Sequence, residues 1–138
     1  MTEQFTTRQI YLKDLSFQVP SGASIFTDAW KPQVKIDVKV SHAQVQGGLT
    51  EVVLTISVVG TNNGGTAFMI EVLQAGIFQV SGFGGEALDR ILLGKCPAML
   101  LPYAREVIDS TLMRARFPAL ILDPIDFETN WRSLKQAV

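Results

Sequence analysis

Two residues of this sequence have side chains that metal sites and nucleophilic catalysis often use, and each type occurs once. His42 is the single histidine and Cys96 is the single cysteine. A zinc or transition-metal site needs several such ligands together, so one copy of this chain cannot build one. The acidic residues show no spacing typical of a calcium-binding loop. We therefore expect neither a metal site nor a cofactor.

A catalytic nucleophile needs a base beside it, and His42 is the only imidazole available for that role. His42 lies where a predicted strand meets a turn, so we interpret it as a solvated histidine. Cys96 precedes Pro97 at a predicted helix start, where a thiolate could be stabilised, but a buried, unreactive thiol is the simpler interpretation. Asp123 and Asp126 have the positions of turn and cap residues rather than of an acid–base pair. The sequence therefore indicates a protein that is not an enzyme.

A glycine cluster could suggest a phosphate-binding loop. Gly82, Gly84 and Gly85 follow a predicted strand and precede a predicted helix. Their spacing matches neither the dinucleotide-binding fingerprint nor the P-loop, and no Lys-Ser or Lys-Thr pair follows. We interpret the glycines as a hinge into the helix and expect no nucleotide site.

The composition favours a binding protein or an oligomer. Hydrophobic residues make up 47% of the 138 residues, and charged residues make up 18%, below the roughly one quarter usual for a soluble domain. Such a domain is expected to share apolar surface with copies of itself or with an apolar ligand. The net charge is -1 and the basic residues are scattered, so the chain lacks the basic stripe of a nucleic-acid-binding protein.

The sequence shows neither a secretory signal nor a membrane span. Residues 1–4 include no basic stretch followed by an apolar one. No uncharged apolar run approaches the roughly 20 residues that a membrane-spanning helix needs. A single cysteine excludes an intramolecular disulfide and fits a reducing compartment. We expect a cytoplasmic protein, with residues 1–138 forming one domain and no insertion into the membrane.

The first half of the chain has the residue alternation of β-strands. Two turns punctuate it, one at Gln46-Gly47-Gly48 and a hairpin signal of Asn and Gly at 61–65. The stretch 20–31 has Gly and Pro but no clear period, which is typical of a long connection. We predict a four-stranded antiparallel sheet with a long crossover between strands one and two, its strands at 8–19, 34–40, 51–59 and 66–78.

The second half has the spacing of helices. The pattern predicts a short helix over 86–93 that ends at Gly94, and a following helix that starts at Pro97. Pro102 predicts a kink or a break in this long helical region. A last helix runs from about Asp126 to about Gln136. Strands followed by helices indicate an α+β fold.

Two segments carry more aromatic side chains than irregular or terminal segments require. Phe26 and Trp30 lie in the crossover, and Phe127 and Trp131 lie on one face of the last helix. The rings either fill the core of the domain or line a binding site for an apolar ligand. The residues alone leave both alternatives open.

Long motifs follow one another in a fixed order along the chain: RQIYLKDLSF at 8–17, EVVL at 51–54, TAF at 66–68, QAGIF at 74–78, CPAMLLPYAREV at 96–107, RFPAL at 116–120 and PIDF at 124–127. Through them the chain resembles the SecB family of bacterial protein-export chaperones over nearly its whole length. The resemblance implies an ATP-independent holdase that binds unfolded precursor polypeptides and delivers them to the motor SecA. It also implies a homotetramer, built as a dimer of dimers.

The resemblance further implies where the surfaces of such a chaperone lie. The family's client groove runs between the crossover and the last helix, which here carry Phe26, Trp30, Phe127 and Trp131. The period of the strand over 66–78 separates two faces. The resemblance places one face at the oligomer interface and the other, with part of the first strand, at the surface that docks SecA. These sets are Ile70, Val72 and Gln74 for the interface, and Asp14, Gln18, Met69 and Glu71 for SecA.

The chain departs from the family pattern in its charge. SecB proteins are usually strongly acidic, whereas this chain has a net charge of -1, and Gln18 replaces the usual glutamate. A less negative surface weakens electrostatic steering toward a basic partner. An alternative function is therefore a SecB-like chaperone dedicated to one client, such as an antitoxin, without motor targeting.

Overall fold

The computed structural model describes residues 2–120 and 122–137, with side chains described as far as Ser133. Four antiparallel strands form one sheet in the order β1-β4-β3-β2, so the first two strands of the chain lie at the two edges. The predicted sheet and its long crossover are confirmed, although every strand extends further than predicted at one or both ends. The strands are β1 Gln4–Gln18, β2 Gln33–Val45, β3 Leu49–Asn62 and β4 Gly65–Ser81.

The two faces of the sheet differ sharply in burial. On β4, Phe68, Ile70 and Val72 are buried, whereas Met69 and Glu71 are exposed. This alternation is the one the sequence predicts, because successive side chains of a strand point to opposite faces. We call the buried side the inner face and the other the outer face. The helices pack on the inner face, where Leu100, Ala104, Ile108 and Leu112 complete the core.

A continuous helical segment follows the sheet. It consists of α1 (Gly85–Arg90), a π turn (Ile91–Lys95) and α2 (Cys96–Arg114), and Pro102 lies inside α2 without breaking it. The predicted helix end at Gly94 is therefore wrong. The wider π turn carries the chain through this glycine, and Pro97 follows it in the first turn of α2, inside the continuous helical segment.

The last helix, α3 (Phe127–Ala137), packs on the π turn. Gly94 makes this close approach possible, because a β-carbon there would lie 3.3 Å from both the Cα of Glu128 and the carbonyl oxygen of Phe127. Asp126 caps the helix start: its Oδ1 accepts a hydrogen bond from the backbone N–H of Thr129 at 3.1 Å. Hydrogen bonding from the side chain of Thr129, together with this backbone bond, lowers the pKa of the Asp126 carboxyl.

Candidate functional site

An apolar pocket of about 250 Å³ opens between the crossover and the segment that follows α2. Phe117 lies at its centre: its ring centroid is 5.4 Å from that of Phe26 and 5.5 Å from that of Trp30. From below, Phe68 of β4 contacts the same ring at 5.1 Å. The rim carries one acidic and one basic residue. The lining is Ile25, Phe26, Asp28, Trp30, Arg116, Phe117 and Pro118.

The end of α2 places Phe117 in this pocket. The N–H of Phe117 donates to the carbonyl of Leu112 at 3.0 Å, and the N–H of Arg116 donates to that of Met113 at 3.1 Å. These two bonds form a Schellman motif, in which the residue after the helix adopts a left-handed conformation. Here that residue is Arg116, with a φ of 70°. The motif reverses the chain, and Phe117 folds back over the inner face with 6% of its surface exposed.

A glycine on β3 makes room for the floor of the pocket. Gly60 is paired with Phe68 in the sheet, and a β-carbon on Gly60 would lie 2.3 Å from a carbon of the Phe68 ring. The ring therefore lies flat over the neighbouring strand instead of standing away from it. This position brings Phe68 under Phe117, so the absence of one side chain on β3 permits the cluster of four rings.

The crossover divides its apolar residues between core and surface. A 3-10 helix, Gly22–Phe26, buries Ile25 and leaves 54% of Phe26 exposed. Phe26 thus stacks on Phe117 with one face and presents the other to solvent. A pocket of this size falls below the range of about 300–1,000 Å³ typical of small-molecule sites. It suits single side chains of a longer ligand better than a whole cofactor.

The structure does not bring all four predicted groove aromatics to this pocket. Phe26 and Trp30 line it, whereas Phe127 and Trp131 are 2% and 5% exposed where α3 packs on the π turn. The guanidinium groups of Arg90 and Arg132 lie 5.8 Å and 5.1 Å from the Trp131 ring. A client can contact these two rings only if α3 moves, and their role in a groove remains a prediction.

The four residues predicted for motor docking lie together on the outer face. Gln18 pairs with Met69, Glu71 is the next outward residue on β4, and Asp14 follows on β1. All four are exposed, and the hydroxyl of Ser57 donates to Glu71 at 3.1 Å. The edge strand β2 adds Lys35, Asp37 and Lys39 to this face in alternation. The charges of the outer face are thus mixed, and the docking role remains a prediction.

A polar network links β1 to β3 at the other end of the outer face. The sheet register shifts between Leu12 and Asp14, and the bulged residue Lys13 places its Nζ 2.8 Å from an oxygen of Glu51. The hydroxyl of Tyr11 donates to the other oxygen of the same carboxylate. Hydrogen bonds from Lys13 and Tyr11 lower the pKa of Glu51, and the bond to Glu51 raises the pKa of Tyr11 to about 12.

The network predicts an unusually late tyrosine titration. In a Tyr103→Phe background, which leaves Tyr11 as the single tyrosine, we expect tyrosinate absorbance to appear with a pKa of about 12. Because the folded pKa is the higher one, the contribution of Tyr11 to stability is complete below the unfolded value of about 10 and lost as pH rises to about 12. Glu51→Gln should return the titration toward 10. A wild-type midpoint near 10 would contradict the hydrogen bond.

The residues predicted for the oligomer interface lie on the inner face. Ile70 and Val72 are buried in the core beneath the helices, and 3% of Gln74 is exposed. The Nε2 of Gln74 donates to the carbonyl of Tyr11 at 3.0 Å, while its Oε1 has no hydrogen-bond partner in the described part of the chain. Gln74 borders an open cleft of about 400 Å³ between β1 and α2. Their role in assembly remains a prediction.

The environments of His42 and Cys96, the two residues considered for catalysis, do not suit a catalytic role. His42 is exposed on the edge strand β2, as the sequence predicts. Cys96 is fully buried, and burial raises the pKa of its thiol to about 12, so it is a neutral core residue at physiological pH. Among the described residues, no group of His, Cys, Asp and Glu could hold a metal ion. Within the same part of the chain, no helix is both long and apolar enough to cross a membrane.

The sequence matches the family model described as preprotein translocase subunit SecB over residues 1–137. The chain belongs to the SecB family. It is 44% identical over 135 residues to the protein-export protein SecB of Chromohalobacter salexigens, covering 96% of this chain and 82% of that protein. The SecB of Cellvibrio japonicus is 45% identical over 125 residues, covering 91% and 75% of the two chains.

A solved structure shares the fold of this SecB family member. It is the Mycobacterium tuberculosis SecB-like chaperone in complex with an antitoxin peptide, with a TM-score of 0.70. The match covers 88% of this chain and 91% of that one at 15% identity, so it shows the fold alone. The resemblance to SecB and the α+β architecture predicted from the sequence are both confirmed.

Sequence reasoning does not assign Phe117 to the candidate pocket, nor Asn62 to the support of the crossover. The sequence shows Phe117 only within the motif at 116–120 and Asn62 only within the hairpin signal at 61–65. An aromatic residue directly after a helix end was the available signal for Phe117, because Schellman motifs often place an apolar residue there. Asn62 gave no signal, since its partners lie about 30 residues earlier in the chain.

Proposed function

We propose that this chain is a SecB export chaperone that holds unfolded precursor polypeptides without ATP. Membership of the SecB family and the curated relatives named as protein-export proteins support this function. The observation that carries it is the half-exposed Phe26 ring stacked over Phe117 at the mouth of the pocket. Rigid aromatic rings offer a large contact area and demand no particular hydrogen bond, so many client sequences can use them.

An extended client can continue from the pocket along the edge strand β2. Val34 and Ile36 lie on the inner face only a few residues after Trp30, and 39% and 40% of their surfaces are exposed. Among the described residues β2 pairs with β3 alone, which leaves its other edge available there for backbone hydrogen bonds. Together, a side-chain pocket and a free strand edge recognise an extended chain without fixing its sequence.

We further propose that the working form is a homotetramer, a dimer of dimers. Leu12 and Leu15 lie on the inner face of β1, yet 45% and 40% of their surfaces are exposed, and Tyr103 of α2 is 52% exposed. Gln74 also has a buried acceptor without a partner in the described residues, which costs about 1–3 kcal/mol when it stays unsatisfied. A second subunit on this surface would cover the apolar residues and could supply the missing donor.

Delivery to SecA in the cytoplasm completes the proposal, with docking on the outer face at Asp14, Gln18, Met69 and Glu71. The exposed Met69 pairs with Gln18 on β1, and Glu71 lies two residues further along the same face of β4. The lysines of β2 and the neutral Gln18 make this surface less negative. We expect docking that depends on the Met69 contact more than on long-range attraction, and therefore varies little with salt.

The test is a titration of the purified protein with a fluorescent, unfolded precursor, together with an aggregation assay of the same client. We expect wild type to bind the client and to slow its aggregation without ATP. Phe26→Ala should weaken binding several-fold while leaving the fold intact, because that ring is half exposed. Val45→Ala, a change of an exposed valine at the far end of β2, is the matched control and should bind like wild type.

Two outcomes would change this conclusion. A wild-type protein that binds no unfolded precursor, and does not slow aggregation, would contradict the general holdase function. Tight binding of a single dedicated client without any binding of SecA would favour the alternative function, for which the neutral Gln18 is the supporting observation. Calorimetry with purified SecA separates this alternative from the main proposal.

A further inference from the structure

Asn62, the last residue of β3, is a buried polar side chain with both of its functional groups satisfied. Its Nδ2 donates to the carbonyl of Ala29 at 3.1 Å, and its Oδ1 accepts from the N–H of Lys31 at 2.7 Å. The two partners are the backbone groups on either side of Trp30. With 3% of its surface exposed, Asn62 is one of very few polar residues among the buried ones.

The crossover needs such a partner because its last part has no regular secondary structure. Residues 29–32 lie between the 3-10 helix and β2, so their backbone groups lack the partners that a helix or sheet provides. The asparagine amide carries one acceptor and a pair of donors, and can therefore pair with a chain segment as a peptide unit does. Asn62 thus makes with the backbone of Ala29 and Lys31 the kind of hydrogen bonds that a neighbouring strand would make.

The hairpin after β3 fixes where the amide points. Asn63 and Gly64 have φ values of 54° and 82°, the left-handed pair that a tight two-residue hairpin requires. Asn62 and Gly65 pair across this turn. The sheet consequently fixes the backbone of Asn62, so the side chain extends from a fixed point toward the backbone of Ala29 and Lys31.

We propose that Asn62 is the positioning residue of the client pocket, which rests on the function proposed above. By binding the backbone on both sides of Trp30, it holds that ring against Phe117 and sets the width of the pocket. Asn62 itself does not line the pocket, whereas Trp30, between its two backbone partners, does. Its effect on client affinity therefore acts through Trp30.

The first measurement is the client affinity of Asn62→Ala. We expect the dissociation constant to rise about tenfold, since loss of two buried hydrogen bonds frees the segment that carries Trp30. Ser21→Ala is the matched control, because Ser21 also ties the crossover to the sheet, through a 2.9 Å bond from its hydroxyl to the carbonyl of Thr66, but at an exposed site. This control should bind within about twofold of wild type.

A double-mutant cycle tests whether the effect acts through Trp30. In a Trp30→Ala background, Asn62→Ala should weaken binding by less than about twofold, because the ring it positions is gone. Trp30 emission gives a readout without any client: in a Trp131→Phe background Trp30 is the single tryptophan, and Asn62→Ala should shift its emission to longer wavelength. If Asn62→Ala does not fold, Asn62→Asp, which keeps the acceptor for Lys31, replaces it in both experiments.

Three results would overturn the positioning role: unchanged affinity in Asn62→Ala, an equal loss of affinity with or without Trp30, or unchanged Trp30 emission. The two affinity measurements require a wild-type protein that binds the client. The emission measurement requires no client. Failure of the function proposed above would instead appear as a wild type without client binding, so the two failures are distinguishable.

Discussion

Phe117→Ala is expected to abolish the client pocket and to lower the free energy of unfolding by about 3–5 kcal/mol, the usual cost of removing a buried phenylalanine. Phe117 is 6% exposed and contacts three other rings, so its loss leaves Phe26 and Trp30 without the surface on which they stack. Domains of this size have total stabilities of about 5–15 kcal/mol, so the variant should still fold at low temperature. Client affinity should then fall more than tenfold in the fluorescence titration, since each aromatic contact contributes about 0.5–1.5 kcal/mol.

Phe78→Ala separates loss of the pocket from loss of stability. Phe78 is fully buried, stacks on Phe5 at 5.6 Å, and lies ten residues from Phe68 along β4, roughly 33 Å at about 3.3 Å per residue. It should destabilise the protein as much as Phe117→Ala, measured by chemical denaturation, yet bind the client like wild type. Equal losses of affinity in the two variants would mean that the pocket does not contact the client and that stability alone controls binding.

The sheet could be predicted from the sequence because its central strands bury one face and the alternation follows directly. Along the first strand the apolar and polar residues alternate only imperfectly, and this too has a physical cause. The register of β1 against β4 shifts between Thr7 and Gln9 and again between Leu12 and Asp14. Each β-bulge inserts a residue and reverses the phase of the pattern, so no single period describes the whole strand.

Gly94 shows why the course of the helices could not be fully predicted. A glycine after a short apolar helix is typical of a helix end, and Pro97 and Pro102 strengthen that interpretation. In the structure a π turn continues the helix through Gly94. The glycine is there because a side chain at this position would obstruct the approach of α3. The reason is a contact with a segment more than thirty residues later, which local patterns do not contain.

The candidate site was predicted in part. The sequence identified the aromatic residues of the crossover and of the last helix. The structure places Phe26 and Trp30 at a pocket but buries Phe127 and Trp131 between α3 and the π turn. Periodicity identifies which residues share a face of an element, but not which surface that face contacts. The centre of the pocket, Phe117, depends on the conformation of Arg116 after α2, and a residue with a positive φ that is not glycine has no reliable sequence signal.

Leu15→Asp is expected to disrupt the oligomer without unfolding the subunit. Leu15 lies opposite Val72 on the inner face, but 40% of its surface is exposed in a single chain, so a carboxylate there remains partly solvated. In an assembly that covers this surface, the same carboxylate would be buried without a partner, at a cost of several kcal/mol. Light scattering should therefore show a mass below that of the wild-type oligomer, with unchanged far-UV circular dichroism.

Ser16→Asp is the matched control, because it introduces the same charge one residue later on β1 but on the outer face, opposite Glu71. We expect it to keep the wild-type mass. A wild-type protein that is monomeric at micromolar concentration, or equal masses for Leu15→Asp and wild type, would contradict the proposed interface. If assembly also orders the client site, Leu15→Asp should weaken client binding in the same titration. If each pocket works alone, binding per subunit should stay unchanged, because Phe26, Trp30 and Phe117 all belong to one chain.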